Sequence, residues 1–197
     1  KLKKNNTLQA AIKASINCKK SLIKEQTKIN QIINLIYECI KNDGKIFFCG
    51  NGGSASDAQH LTAELLVRLK PNLNRKPIPA ICLSMDPSTM TACGNDYNFD
   101  QIFSRPFEAL SKKNDLLFVI STSGKSKNVL NVLKSAKKNK VKSIGLLGGN
   151  GGIIKKYTTS NIVIKSNITA RIQETHIFLG HYILENLEKK LIFDKII

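Results

Sequence analysis

What this sequence is short of narrows its role before any motif is considered. No stretch approaches the roughly 18 consecutive apolar residues that a membrane-spanning helix requires. The basic start, Lys1-Leu2-Lys3-Lys4-Asn5-Asn6, is not followed by the apolar core of a secretion signal. A cytoplasmic protein without membrane attachment is expected. Cysteines are few and scattered: Cys18, Cys39, Cys49, Cys82 and Cys93 include no C-x-x-C pair. That argues against a disulfide framework and against a structural zinc site, and leaves reduced, mostly buried thiols. Acidic residues are scarce too, 14 against 31 Lys and Arg, for a net charge of +17. Such a charge suits a nucleic-acid binder. Yet aromatics make up only 6% and the lysines are spread along the chain, with no basic block interleaved with stacking side chains, so specific nucleic-acid binding is not expected. A positive field would also draw in a phosphorylated substrate.

What is present fits one globular domain. The 197 residues, 42% apolar, suffice for a sizeable core, and neither an internal repeat nor a long linker divides them. Residues 5–41 read as one long helix or two joined ones: Leu8, Ile12 and Ile16, then Ile29, Ile32, Ile33, Ile36 and Ile40, recur at helical spacing, and Asn42-Asp43-Gly44 ends the element. This gives an N-terminal helical segment over 1–43 and an α/β core over 44–190. In the core, candidate strands at 45–49, 79–83, 116–120, 143–147 and 161–164 alternate with candidate helices at 54–69, 99–110, 127–139 and 169–190. Short apolar strands alternating with helices predict a five-stranded parallel sheet flanked by helices on both faces.

Ligands of such sheets bind beyond the carboxyl ends of the strands, where three polar, glycine-containing loops fall. Cys49-Gly50-Asn51-Gly52-Gly53-Ser54 joins a strand to a helix, and its glycines let backbone amides approach a ligand. Gly50 to Ala55 also satisfies G-x-G-x-x-A, but the acidic residue of a dinucleotide site would be Asp86, some 36 positions on rather than about 20. Ser121-Thr122-Ser123-Gly124-Lys125-Ser126 sets four hydroxyls at a helix start; one serine is expected to cap the helix, and the surplus points to a phosphate. It is not a nucleotide P-loop, because the first glycine would fall at Val119. Gly148-Gly149-Asn150-Gly151-Gly152 reads as a turn.

Taken in order, the Cys49–Ser54 loop, the Ser-Thr-Ser-Gly-x-Ser loop and Arg171-Ile172-Gln173-Glu174-x-His176 resemble the sugar isomerase (SIS) domain family, and within it the phosphoheptose isomerases, over about Gly44 to Glu188. The resemblance implies a ketose–aldose isomerase that converts sedoheptulose 7-phosphate to D-glycero-D-manno-heptose 7-phosphate through an enediol, early in lipopolysaccharide heptose synthesis. It implies Glu64 as base and His181 as acid. It also implies one zinc ion per subunit, bound by His60, Glu64, Gln173 and His181. Substrate contacts carried over by motif are Asn51, Gly52, Gly53, Glu64, Asn95, Asp96, Ser121, Thr122, Ser123, Ser126 and Gln173. Asn95-Asp96 is expected in a loop, and Ser84–Thr89 departs slightly in length from the family pattern. Zinc on Glu64 would lower its basicity, so its two implied roles are in tension.

The residue types suit that chemistry: His60 and Glu64, four apart, share a helix face, and a carboxylate with an imidazole can shuttle protons between adjacent carbons and oxygens. His176 is expected to be structural, and Arg171 to pair with an acid or a phosphate. The rival reading is a non-enzymatic SIS relative that binds the replication initiator, a branch that lacks the acid and the final histidine; retention of Glu64 and His181 favours the enzyme. A dinucleotide-dependent dehydrogenase is a distant third. Gln173 and His181 would stand about 12 Å apart along a helix and about 80° apart around it. One of the pair is therefore expected to serve a neighbouring subunit's site in a homo-oligomer, a tetramer by resemblance, or the two to engage in different states. The stripe Ile29, Ile32, Ile33 and Ile36 is read as a surface for that assembly or for packing on the chain's own sheet.

Overall fold

The isoleucine spacing of the amino-terminal segment decides how the fold begins. A computed structural model describes residues 7–197; the basic start and the first two residues of the helical segment lie outside it. Thr7 opens α1 (Leu8–Ser21) by accepting a hydrogen bond from Ala10 N at 3.2 Å. A 3-10 turn, Leu22–Glu25, joins it to α2 (Gln26–Lys41), so the segment is two joined helices. On α2 the i, i+3, i+4, i+7 stripe of Ile29, Ile32, Ile33 and Ile36 is buried in the chain's own core. Of the two readings of this stripe, packing on the chain's own sheet is the one seen. Side chains at most 7% exposed leave nothing for a second subunit to cover. Exposed apolar side chains lie earlier in the chain, at Leu8, Ile12 and Ile16 of α1 and Ile23 of the 3-10 turn.

Five parallel strands follow: β1 (Ile46–Gly50), β2 (Ala80–Cys82), β3 (Leu116–Ser121), β4 (Lys142–Gly148) and β5 (Ser160–Ile164), in the spatial order β2-β1-β3-β4-β5. Side chains alternate between the faces, as the two-residue period requires. Ile46, Phe48, Leu116, Phe118 and Ile120 pack under α2, α3 (Gly53–Leu66) and α7 (Thr169–Phe193). Phe47, Cys49, Leu117 and Val119 pack under α5 (Ser104–Leu110) and α6 (Lys127–Lys138). Each such large side chain contributes roughly 1.5–3 kcal/mol by leaving water. Four of the five free cysteines are buried.

The strands match the sequence reading to within a few residues, but the stretch after β2 does not. Residues 87–96 form a helix, α4 (Pro87–Asp96), where a loop was expected; it exposes most of its surface, so no apolar stripe announces it. The expected helix over 99–110 divides into a 3-10 turn, Phe99–Gln101, and the short α5.

Strand order fixes where a ligand can bind. The chain leaves β1 to one side for β2, then crosses back to β3 on the other, so the loops after β1 and β3 diverge at a topological switch point. The glycine loop and the serine loop are those two. Among the described residues no helix is long and apolar enough to cross a membrane.

Candidate active site

The glycine loop turns on Gly52, whose φ of +57° is left-handed and whose missing Cβ faces open space. The amide groups of Asn51 and Asn128 exchange two hydrogen bonds of 2.9 Å, which fastens this loop to the first turn of α6 and hence to the serine loop. In the serine loop the hydroxyls turn inward: Ser121 Oγ accepts from Gly124 N and Ser123 Oγ accepts from Lys125 N, each at 3.2 Å. The expected serine cap of α6 is not made, since Ser126 occupies the N-cap position without a side-chain bond to the helix. The third loop is more than a turn. A Cβ on Gly148 would lie 2.3 Å from Thr122 O, and one on Gly152 would lie 2.2 Å from Gly124 O, so its glycines let it support the serine loop from below.

Helices α3 and α7 lie side by side and run in the same direction. Gly53 meets the Gln173 amide, and seven and eight residues on, His60 meets His181; between them Gly180 lets α7 close on Leu61. At this second level three donor atoms converge. His60 Nε2 is 2.8 Å from His181 Nε2 and 3.2 Å from Glu64 Oε1, and the three ligand atoms all lie within 4.8 Å of one another. A single N–H shared between two acceptors is a weak arrangement, whereas one cation would satisfy all three donors. Two ligands held about 2.0–2.1 Å from a tetrahedral ion stand roughly 3.4 Å apart, close to the spacing present. The cluster is half open, with the His60 side chain 48% exposed and that of Glu64 17%. Gln173 lies at the Gly53 level, roughly 12 Å along α7 from His181.

Of the remaining sequence candidates, Asn95 and Asp96 occupy the exposed end of α4, where Asn95 Nδ2 donates to Asp96 Oδ1 at 2.9 Å and, among the described residues, neither side chain bonds to the glycine or serine loop. Asp86 is spent on capping α4 through Thr89 N, at 3.1 Å, which removes the acidic group a dinucleotide site would need. Arg171 pairs with Glu174 at 2.5 Å and donates to Ala11 O at 2.9 Å, tying α7 to α1. His176 is fully buried and, among the described residues, neither ring nitrogen has a hydrogen-bond partner. Burial pushes its imidazole down to about 4, and the nearby Leu147 backbone opposes this only in part.

Residues 12–148 match the SIS domain family model. The phosphoheptose isomerase of Leptospira biflexa is 42% identical over 185 residues, covering 93% of this chain and 95% of that protein. That of Campylobacter concisus is 51% identical over 155 residues, covering 79% and 81%. The chain belongs to the phosphoheptose isomerase family of SIS-domain proteins. The solved structure of a phosphoheptose isomerase from Francisella tularensis superposes with a TM-score of 0.87 at 34% identity, covering 92% of this chain and 96% of that one, so family and fold agree along nearly the whole length.

Within this family member, two residues near the site escaped the sequence reading. Asp57 lies on α3 one turn before His60, and burial raises its carboxyl to about 6, with His60 pulling the other way; among the described residues Oδ2 has no partner. Its signal was the spacing 57, 60, 64 on one helix face. Arg75, from the loop after α3, reaches the carbonyls of Glu64 and Leu65 and pairs with Glu188; nothing in its local sequence marked it.

Proposed function

We propose that the protein converts sedoheptulose 7-phosphate to D-glycero-D-manno-heptose 7-phosphate, supplying heptose for lipopolysaccharide, and that the His60–Glu64–His181 cluster is where it does so. The observation that carries this reading is the convergence of one carboxylate and two imidazoles on a single point of the paired helices α3 and α7. The phosphate end of the sugar goes to the serine loop, where Ser121, Thr122, Ser123 and Ser126 gather beside Asn51, Gly52 and Gly53. Asn95 and Asp96 remain candidate substrate contacts, reached from the exposed end of α4.

Isomerisation moves a proton between C1 and C2 through an enediol. Glu64 takes the proton from the carbon beside the carbonyl and returns it to the neighbouring carbon, while His181 handles the proton between the two oxygens. His60, Glu64 and His181 form a nitrogen and oxygen donor set that suits zinc, one ion per subunit. A bound zinc would polarise the substrate oxygens. It would also lower the basicity of any carboxylate it held, which sets its hold on Glu64 against the role of Glu64 as base. Gln173 completes the ligand set from a neighbouring chain, because within its own chain it lies two turns away. We infer a homotetramer with sites between subunits, supported by the exposed apolar residues of α1 and by Leu66 and Val67 beside Glu64. Incubating purified protein with sedoheptulose 7-phosphate, with and without a chelator, tests the proposal: an aldose phosphate should form, and chelation should slow it. Absence of product from metal-replete protein would redirect the search to another sugar phosphate.

A further inference from the structure

Glu64 stands in the last turn of α3, the part of a helix whose carbonyls lack intrahelical donors. No glycine closes this end: Val67 follows at φ −105° and ψ −84°. Leu65 O accepts from Ile78 N at 3.0 Å, and the rest of the closure comes from Arg75. Its Nη2 donates to Glu64 O at 2.7 Å, and its Nη1 donates to Leu65 O at 2.9 Å and to Lys76 O at 3.0 Å. Its Nε donates to Glu188 Oε2 at 2.7 Å, and both side chains are almost wholly buried, 2% and 4% exposed. Glu188 lies on α7, seven residues or about 10 Å beyond His181. Four of the five guanidinium N–H groups are therefore engaged within the chain, so Arg75 is not free to bind a phosphate.

Stability alone does not account for this pair. Desolvation offsets much of the attraction between buried charges, and an apolar pair of similar size would hold two helices as well. An apolar pair could not donate to the carbonyls of the turn that bears Glu64. A cation at a helix carboxyl end also complements the dipole there. We propose that Arg75, held by Glu188, is a positioning residue: it fixes the final turn of α3 so that the Glu64 carboxylate keeps its place against His60 and His181, and it ties that turn to the helix carrying His181. This rests on Glu64 being the base.

The test is the double variant Arg75→Met, Glu188→Leu, which removes both charges and keeps apolar packing. It should fold and melt within a few degrees of the parent. Its kcat should fall at least tenfold with KM within twofold, because the phosphate loops are untouched. Its affinity for Zn2+ alone, measured by competition with a chromophoric chelator, should fall several-fold. Placed in a Glu64→Gln background, the same pair should cause no further loss of turnover. Should the double variant melt early, Arg75→Lys decides, since it keeps the ion pair but cannot span both carbonyls; the same loss of kcat is expected at the parent's melting temperature. A kcat within twofold of the parent in a folded variant overturns the proposal, as does an undiminished tenfold loss in the Glu64→Gln background. If Glu64→Gln alone leaves turnover normal, it is the base assignment that fails, and the positioning role falls with it.

Discussion

Gly124→Ala and Gly149→Ala make a matched pair for the idea that the third loop supports the phosphate loop. Both glycines are left-handed, with φ of +63° and +64°, so alanine incurs the same backbone penalty at each, about 1–2 kcal/mol. Their surroundings differ. A Cβ at position 149 meets nothing within 4 Å, while one at 124 would lie 2.2 Å from Gly151 O and 2.8 Å from Gly152 N, inside the 3.0 Å that Cβ atoms respect. The partner atoms are backbone and cannot swing aside, so the two loops must part, at a further cost of about 1–3 kcal/mol. Gly149→Ala should therefore lose about 1–2 kcal/mol in urea unfolding and bind sugar phosphate normally. Gly124→Ala should lose about 2–5 kcal/mol and bind it at least tenfold more weakly. Equal losses of stability, or unchanged affinity in Gly124→Ala, would refute the reasoning.

The serines of the same loop can be tested separately. Ser121→Ala with Ser123→Ala should weaken sugar-phosphate binding, each bond to a charged group being worth roughly 1.5–3 kcal/mol, and an unchanged titration would move the phosphate to the Asn51–Gly53 loop. His176 sets a pH dependence: with the folded imidazole held at about 4 and the unfolded one near 6.5, the unfolded chain alone takes up a proton between these values. Stability is then complete above pH 6.5 and lost as pH falls toward 4, by about 3 kcal/mol. His176→Leu should flatten that loss in urea midpoints compared at pH 7.5 and 4.5, and an equally steep loss in the variant would contradict the assignment. Finally, because Glu64 and His181 meet within one chain while Gln173 is proposed to come from a neighbour, Glu64→Gln and Gln173→Ala chains, co-refolded, should regain part of the activity; hybrid oligomers without recovery would mean that Gln173 serves its own chain.

Much of this was legible in the sequence, for reasons that are physical. Short apolar runs revealed the five strands and a period-3.6 stripe revealed α2, because strands covered on both faces and a helix covered on one leave those marks. The glycine and serine loops were legible because their composition departs from what turns and caps require. Helix α4 was not, since only Cys93 on it is buried; its capping signals, Asp86 followed by Pro87 at the first helical position, were present but overlooked. The isoleucine stripe of α2 showed a buried face without saying what buries it. The meeting of His60 with His181, 121 positions apart, needed the parallel docking of α3 on α7, which Gly180 permits. Arg75 was invisible because its importance lies in which carbonyls it reaches, a matter of tertiary structure alone.

The central claim, that Glu64 in this cluster moves the proton, is tested most directly by the turnover of sedoheptulose 7-phosphate by parent and Glu64→Gln proteins at equal folded concentration. The substitution preserves size and hydrogen bonding and removes only proton acceptance. The account expects aldose phosphate from the parent and a rate at least about a hundredfold lower from the variant, the usual contribution of a positioned base. Comparable rates from the two proteins would contradict it.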